Sequence, residues 1–203
     1  MHEPEVPSPP RDGGFSHVDL DAVQVKVLAH PIRSRLLTAL RRHGPATATA
    51  LAQRLGSNTG TTSYHLRKLA DVGLVADALE HGDGRDRWWR AAQDSHSYRV
   101  QRFADDPDAA AAADWLYAHY LRGYARLGED WLEQRHEWPA AWQAASNLSD
   151  AKLHLSAEEL EALVAELHDV VLRWRRDHAD PGRPGTEQVI LQLHAFPTRG
   201  GPS

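Results

Sequence analysis

The sequence predicts an α+β chain: two short helices joined by a tight turn and followed by a β-hairpin, then a mainly helical C-terminal region with a small two-stranded element. Three observations carry that prediction. Capping residues and helix-stopping glycines bracket two short apolar-faced segments before residue 75, and strand-like runs flank "HGDG". Beyond residue 108, long stretches place apolar side chains at helical spacing.

Residues 1–16 hold prolines, glycines and few apolar side chains, which is the composition of a disordered arm. "HVDLDAVQVKVLAH" reads as a short helix closed by His30. Pro31 suits the first turn of the next helix, where its missing N–H has no intrahelical partner. In "IRSRLLTALRRHG", Ile32, Leu36, Leu37 and Leu40 share one face, and Gly44 with Pro45 ends the element. Thr47 is the N-cap candidate for "TATALAQRLG", which Gly56 terminates. Asn58 or Ser57 caps the following helix, in which Leu66 and Leu69 face inward and which "DVGL" ends at Gly73. The pair is a helix-turn-helix. "LVADALEHGDGRDRWWRA" then supplies two strands around a hairpin turn, with Arg85 and Arg87 at the returning edge as a basic wing. Trp88 and Trp89 face opposite sides of their strand, so at least one belongs to the wing core.

Residues 93–108 are linker material containing the break "DDPD", and 109–197 form a second region before a flexible tail at 198–203. Its first helix carries Leu116, Tyr120, Leu127 and Trp131 among helix-favouring alanines. A strand is expected at 148–155. The helix after it opens with Ser156 and Glu159 at capping-box spacing and carries a stripe of Leu160, Leu163, Leu167, Val171 and Trp174, expected to be buried. "EQVILQLHAF" alternates as a last strand should.

Charge is distributed unevenly. The 203 residues carry a formal charge of -5, yet Lys26 to Arg90 holds eleven Lys and Arg against five Asp and Glu. A basic module is joined to an acidic remainder, the pattern of a local polyanion binder. No cysteine is present, which excludes disulfides, thiolate metal sites and cysteine nucleophiles. The apolar runs are too short to span a bilayer, and the first residues lack the basic and apolar segments of a secretory signal, so the expected location is the cytoplasm with no membrane partner. "GSNTGTTS" lacks the lysine and spacing of a P-loop. Ser63 beside His65 does not make a triad, so no catalytic residue, metal or cofactor is implied and an enzyme is not expected.

A helix that enters the major groove must offer hydrogen-bonding side chains and positive charge on one face. The second helix of the pair offers Thr61, Thr62, Ser63, Tyr64 and His65, followed by Arg67 and Lys68. The hydroxyls suit bases or phosphates. The two bases supply charge-assisted phosphate contacts or guanine readout.

The run "VLAHPIRSRLLTALRRHGPATATALAQRLGSNTGTTSYHLRKLADVGLVADALEHGDGRDRWWRA" carries the patterns L-x-H-P-x-R, L-A-x-x-L and S-x-H-L-x-x-L-x-x-x-G-L-V. It resembles the winged helix-turn-helix of the ArsR-type bacterial transcription regulators over residues 25–92, within a DNA-binding domain expected at 17–92. That resemblance implies a homodimer binding double-stranded promoter DNA, usually as a repressor released by a signal. It implies recognition contacts around Thr61, Thr62, Ser63, Tyr64, His65 and Arg67, with Arg85 and Arg87 in the wing. The positions at which many metal-sensing relatives carry cysteines are Thr47 and Thr49 here, and Glu166, His168 and His178 do not complete the set of another metal-binding type. The extended second half has two readings. Its aromatics form a dimerisation core, or Trp115, Tyr120, Tyr124 and Trp131 line a site for a small apolar or aromatic effector. A rival from another class is a winged helix that binds proteins rather than sequence-specific DNA.

Overall fold

The computed structural model describes residues 16–80, 86–178 and 183–198. The chain divides into two compact units, Met1–Leu121 and Arg122–Ser203. The expected architecture holds, an N-terminal helix-turn-helix with a β wing followed by a mostly helical region.

Unit 1 opens with β1 (His17–Asp19), and Asp21 then starts α1 (Ala22–Leu28) with a reciprocal cap. Gln24 N donates to Asp21 Oδ1 at 2.8 Å, and Asp21 N donates to Gln24 Oε1 at 3.1 Å. The segment read as one helix is therefore a strand and a shorter helix. His30 caps α2 (Pro31–His43), with Pro31 in its first turn. After β2 (Ala46–Thr47), Thr47 Oγ1 accepts from Ala50 N at 3.2 Å and caps α3 (Ala48–Leu55). Gly56 follows at φ 64°, a left-handed conformation that β-branched side chains resist, and it lets the chain turn into the next helix. Asn58 is the cap of α4 (Thr59–Ala70), accepting from Thr61 N at 2.8 Å.

The wing strands are β3 (Val75–Asp77) and β4 (Trp88–Ala91). They pair antiparallel, and β2 joins the far side of β4 to give a three-stranded sheet ordered β2-β4-β3. Trp89 is the wing's core tryptophan at 3% exposure, whereas Trp88 on the opposite side is half-buried.

Residues 93–108, expected to link two regions, belong to the fold of unit 1. Within them β5 (Ser95–Ser97) pairs in parallel with β1, and a 3-10 turn (Val100–Phe103) buries Phe103. Asp106 begins α5 (Pro107–Gln134) by accepting from Ala109 N at 2.9 Å, and it also receives Lys26 Nζ at 2.8 Å. Ala109, Ala113 and Leu116 of α5 join one core with Leu28, Leu36, Leu40, Leu51, Leu66, Leu69 and Leu74. Each fully buried leucine contributes about 2 kcal/mol of transfer free energy, so α4 is held chiefly by Leu66 and Leu69.

Unit 2 holds the end of α5, then α6 (Ala140–Ala145) and α7 (Ala157–Asp177). The Ser156–Glu159 capping box forms as its spacing predicts. Two expectations fail here. Residues 148–155 and 187–196 form no strand, and the apolar stripe of α7 contains no buried residue. Alternation provides a face but no partner edge, and Leu148, Leu153, Val189 and Leu191 remain exposed. No helix among the described residues is long and apolar enough to cross a membrane. Of the expected N-terminal arm only Ser16 lies within the described residues, where its N–H donates to Asp94 Oδ2 at 2.8 Å.

Candidate nucleic-acid interface

A helix presented to DNA must be anchored on one side and chemically open on the other. On α4 the anchored side is Thr62, His65, Leu66 and Leu69, all buried. Their spacing of three and four residues makes one stripe. The opposite side exposes Thr59, Gly60, Tyr64, Arg67 and Lys68, with Thr61 and Ser63 half-buried between.

Thr59, Ser63 and Arg67, four residues apart, form one wall of a surface groove. Its other wall combines Thr47, Ala48 and Thr49 at the start of α3 with Asp86, Arg87 and Trp89 of the wing. The Arg87 guanidinium is fixed in two ways. Nη2 and Nε donate to the two carboxylate oxygens of Asp77 at 2.9 and 2.5 Å, and the group lies 4.1 Å from the Trp89 ring centroid. A fork held by a carboxylate and an aromatic face loses little freedom on meeting a phosphate. Arg67 makes no ion pair among the described residues, whereas Lys68 lies 3.6 Å from Asp71 and 6.0 Å from the Tyr64 ring centroid. The groove thus brings together hydroxyls, the guanidinium groups of Arg67 and Arg87 and the first turn of α3, with Asp86 its one acidic member among the described residues.

Two residues of the expected contact face, Thr62 and His65, are buried. Thr62 is fully buried, with no hydrogen-bond partner for its Oγ1 among the described residues, and His65 is 8% exposed. The His65 ring packs 4.5 Å from His30 and 5.2 Å from Tyr64. Burial holds the His65 pKa below its ordinary value, with His30 and Arg33 acting in the same direction, so at neutral pH it is a packing ring rather than a cation. Thr61, Ser63, Tyr64, Arg67, Lys68 and Arg87 remain outward or in the groove, while Arg85 lies outside the described residues. Thr47, Thr49 and Thr59 were missed as groove residues. The exposed hydroxyls at the openings of α3 and α4 were the available signal.

The four aromatics considered for an effector do not share one setting. Trp115 and Tyr120 pack against the core of unit 1, Trp115 stacking on His119 at 4.8 Å and Tyr120 lying 5.5 Å from His96. In unit 2, Tyr124 lies 5.5 Å from His194, and Trp131 begins a series with Trp138 and Trp142 at 6.2 Å per step.

Residues 28–77 match the family described as a helix-turn-helix domain. No curated protein matches the chain. Among solved structures, the chain is similar to a possible transcriptional regulatory protein (fragment 1–100) from Mycobacterium bovis. The two are 31% identical over 35% of this chain and 72% of that one, with a TM-score of 0.31. It is also similar to a possible transcriptional regulator for arsenical resistance, 30% identical over 53% of this chain and 94% of that one, with a TM-score of 0.30.

Proposed function

We propose that this chain, whose residues 28–77 form a helix-turn-helix domain, is a sequence-specific double-stranded DNA-binding regulator of the ArsR type that acts as a dimeric repressor. One observation carries the reading. The Thr59–Ser63–Arg67 stripe of a capped helix faces a groove whose opposite wall holds the fixed Arg87. In the proposed complex α4 enters the major groove. Thr61, Ser63, Tyr64 and Arg67 approach base edges and phosphates, and Lys68, Arg87 and the first turn of α3 hold the backbone.

Two copies would read a pseudo-palindromic site with half-sites about one helical turn, roughly 34 Å, apart. Nuclease footprinting on the DNA upstream of its own gene tests this. Two protected half-sites at that spacing are expected, and protection of a single half-site or none opposes the reading. Loss of a protein partner in an Arg67/Lys68 double variant, with DNA behaviour unchanged, would instead support the protein-binding module.

Release by a small apolar or aromatic ligand is part of the proposal, and its support is the aromatic content of α5 and unit 2. Tyr124 and Trp131 are the better candidates, because Trp115 and Tyr120 are already packed against the unit 1 core. A ligand of this kind should change both tryptophan fluorescence and DNA affinity. A saturating ligand screen that alters neither removes ligand control from the account.

A further inference from the structure

Helices α1 to α4 contain no carboxylate. From Ala22 to Ala70 the chain has eight Lys and Arg and no Asp or Glu. An arginine drawn into this part of the fold must find its acceptors elsewhere. Arg35 Nη2 donates to the Leu55 carbonyl at 3.2 Å, and Arg41 Nε to the Gln93 carbonyl at 2.9 Å. Arg33 is different. It is half-buried, and its Nε is enclosed with no hydrogen-bond partner among the described residues. Burial holds its pKa below the ordinary arginine value, and the group that opposes burial is the Tyr64 hydroxyl, not a carboxylate. A cation partly removed from water without a counter-charge carries a cost that an anion offsets.

The surroundings of Arg33 are uniformly unsuited to supply that charge. Arg33 stands in the first turn of α2, at the positive end of the helix dipole. His30, the N-cap, accepts from Ile32 N through Nδ1 at 3.3 Å, and its ring lies 4.5 Å from that of His65. His65 is itself buried, and its Nδ1 has no partner among the described residues. Neither imidazole can become an anion. The place of the cluster on α4 says where one could come from. Successive side chains step round a helix by about 100°. Ser63 lines the groove shared with α3, Tyr64 is 52% exposed, and His65 meets α2. The first turn of α2 therefore borders the open strip of α4 on the side away from Arg87. A helix in the major groove has a sugar-phosphate strand along each side.

We propose that Arg33 binds a backbone phosphate of the DNA strand that flanks α4 on the side away from the Arg87 groove. This rests on the DNA-reading role proposed above for α4 and adds an anchoring contact that senses charge rather than sequence. The phosphate provides the negative charge that α1 to α4 lack, and the planar guanidinium matches its oxygens.

The test compares Arg33→Gln with wild type, as full chains, on labelled upstream and scrambled duplexes across a salt series. Affinity for both duplexes should fall about 10-fold with the preference between them unchanged. The slope of log affinity against log salt should shrink by about 0.9, the share of one phosphate. Arg33→Lys keeps the charge and should recover most of that slope, and Arg33→Gln should melt no lower than wild type because it removes an unpartnered charge. A scan with single neutral methylphosphonates should find a position that weakens wild type and not Arg33→Gln. Unchanged affinity and slope in Arg33→Gln would overturn the contact, as would a loss confined to the upstream duplex. Stabilisation of wild type by inorganic phosphate that Arg33→Gln lacks, with duplex binding unchanged, assigns the site to a free anion and also overturns it. The two readings fail separately. Equal binding of both duplexes with a reduced slope in Arg33→Gln removes the sequence-reading regulator and keeps the phosphate contact. A selective wild type with an indifferent Arg33→Gln does the reverse, and a wild type that binds neither duplex removes both.

Discussion

Replacing Arg67 with alanine should weaken specific duplex binding by about 10- to 100-fold, equivalent to roughly 1.4–2.8 kcal/mol, while leaving thermal stability within about 0.5 kcal/mol of wild type. The side chain is exposed, makes no ion pair among the described residues and ends the Thr59–Ser63–Arg67 wall. Little in the folded chain depends on it, so a loss of affinity reports the DNA contact. Thr62→Val is the contrasting change. It removes a buried hydroxyl that has no hydrogen-bond partner among the described residues, and it should leave both stability and affinity close to wild type. Titrations of labelled operator, with melting curves for each variant, check both. An Arg67→Ala protein that binds as wild type does, or a Thr62→Val protein that loses sequence choice, would reverse the assignment of the two faces of α4.

Acid should loosen unit 1 through one histidine above all. The His96 pKa is pushed down to about 3 by burial, with Arg41 and then His17 adding to the effect. Arg41 Nη1 donates to His96 Nδ1 while Arg41 Nε donates to the Gln93 carbonyl at 2.9 Å. An arginine cannot accept a proton, so this contact requires a neutral ring with its hydrogen on Nε2. Tyr98 and Tyr120 cover the ring at centroid distances of 6.5 and 5.5 Å. The contact therefore ties α2 to the β5 strand beneath α5.

The sign follows from the lowered value. The unfolded chain takes up this proton near pH 6.5 and the folded chain only near pH 3, so the stabilisation is complete above pH 6.5 and is lost on descent to about 3. Between pH 7.5 and 4 the loss from this residue is on the order of 3 kcal/mol. His30, His43 and His65 have lowered pKa values through burial and contribute in the same direction. Urea unfolding across that range should show a shallower pH dependence for His96→Asn, whose amide oxygen can accept from Arg41 without titrating. Parallel profiles for the two proteins would contradict the assignment.

Much of unit 1 was legible because its elements are specified locally. Thr47, Gly56 and Asn58 cap or stop helices through contacts within a few residues, and the apolar faces of α2 and α4 follow from helical spacing. The pairing of β1 with β5 was not legible, because it joins residues 78 positions apart and depends on His17, Ser95 and Ser97 meeting. The burial of Thr62 and His65 was not legible for a different reason. Polarity suggested an outward face, but both share a helical stripe with Leu66 and Leu69, and that geometry prevails over side-chain chemistry. In unit 2 the sequence identified the apolar faces correctly as apolar. A face says that it needs a partner and not where the partner lies.

In the proposed function the open face of α4 and its groove read duplex DNA by sequence. The most direct measurement is the equilibrium affinity of the purified chain for its own upstream DNA and for a scrambled duplex of equal length across a salt series. At least a 1000-fold preference for the upstream site is expected, a margin typical of specific regulators, with affinity for both duplexes falling as salt rises. Equal affinity for the two duplexes at every salt concentration would contradict it.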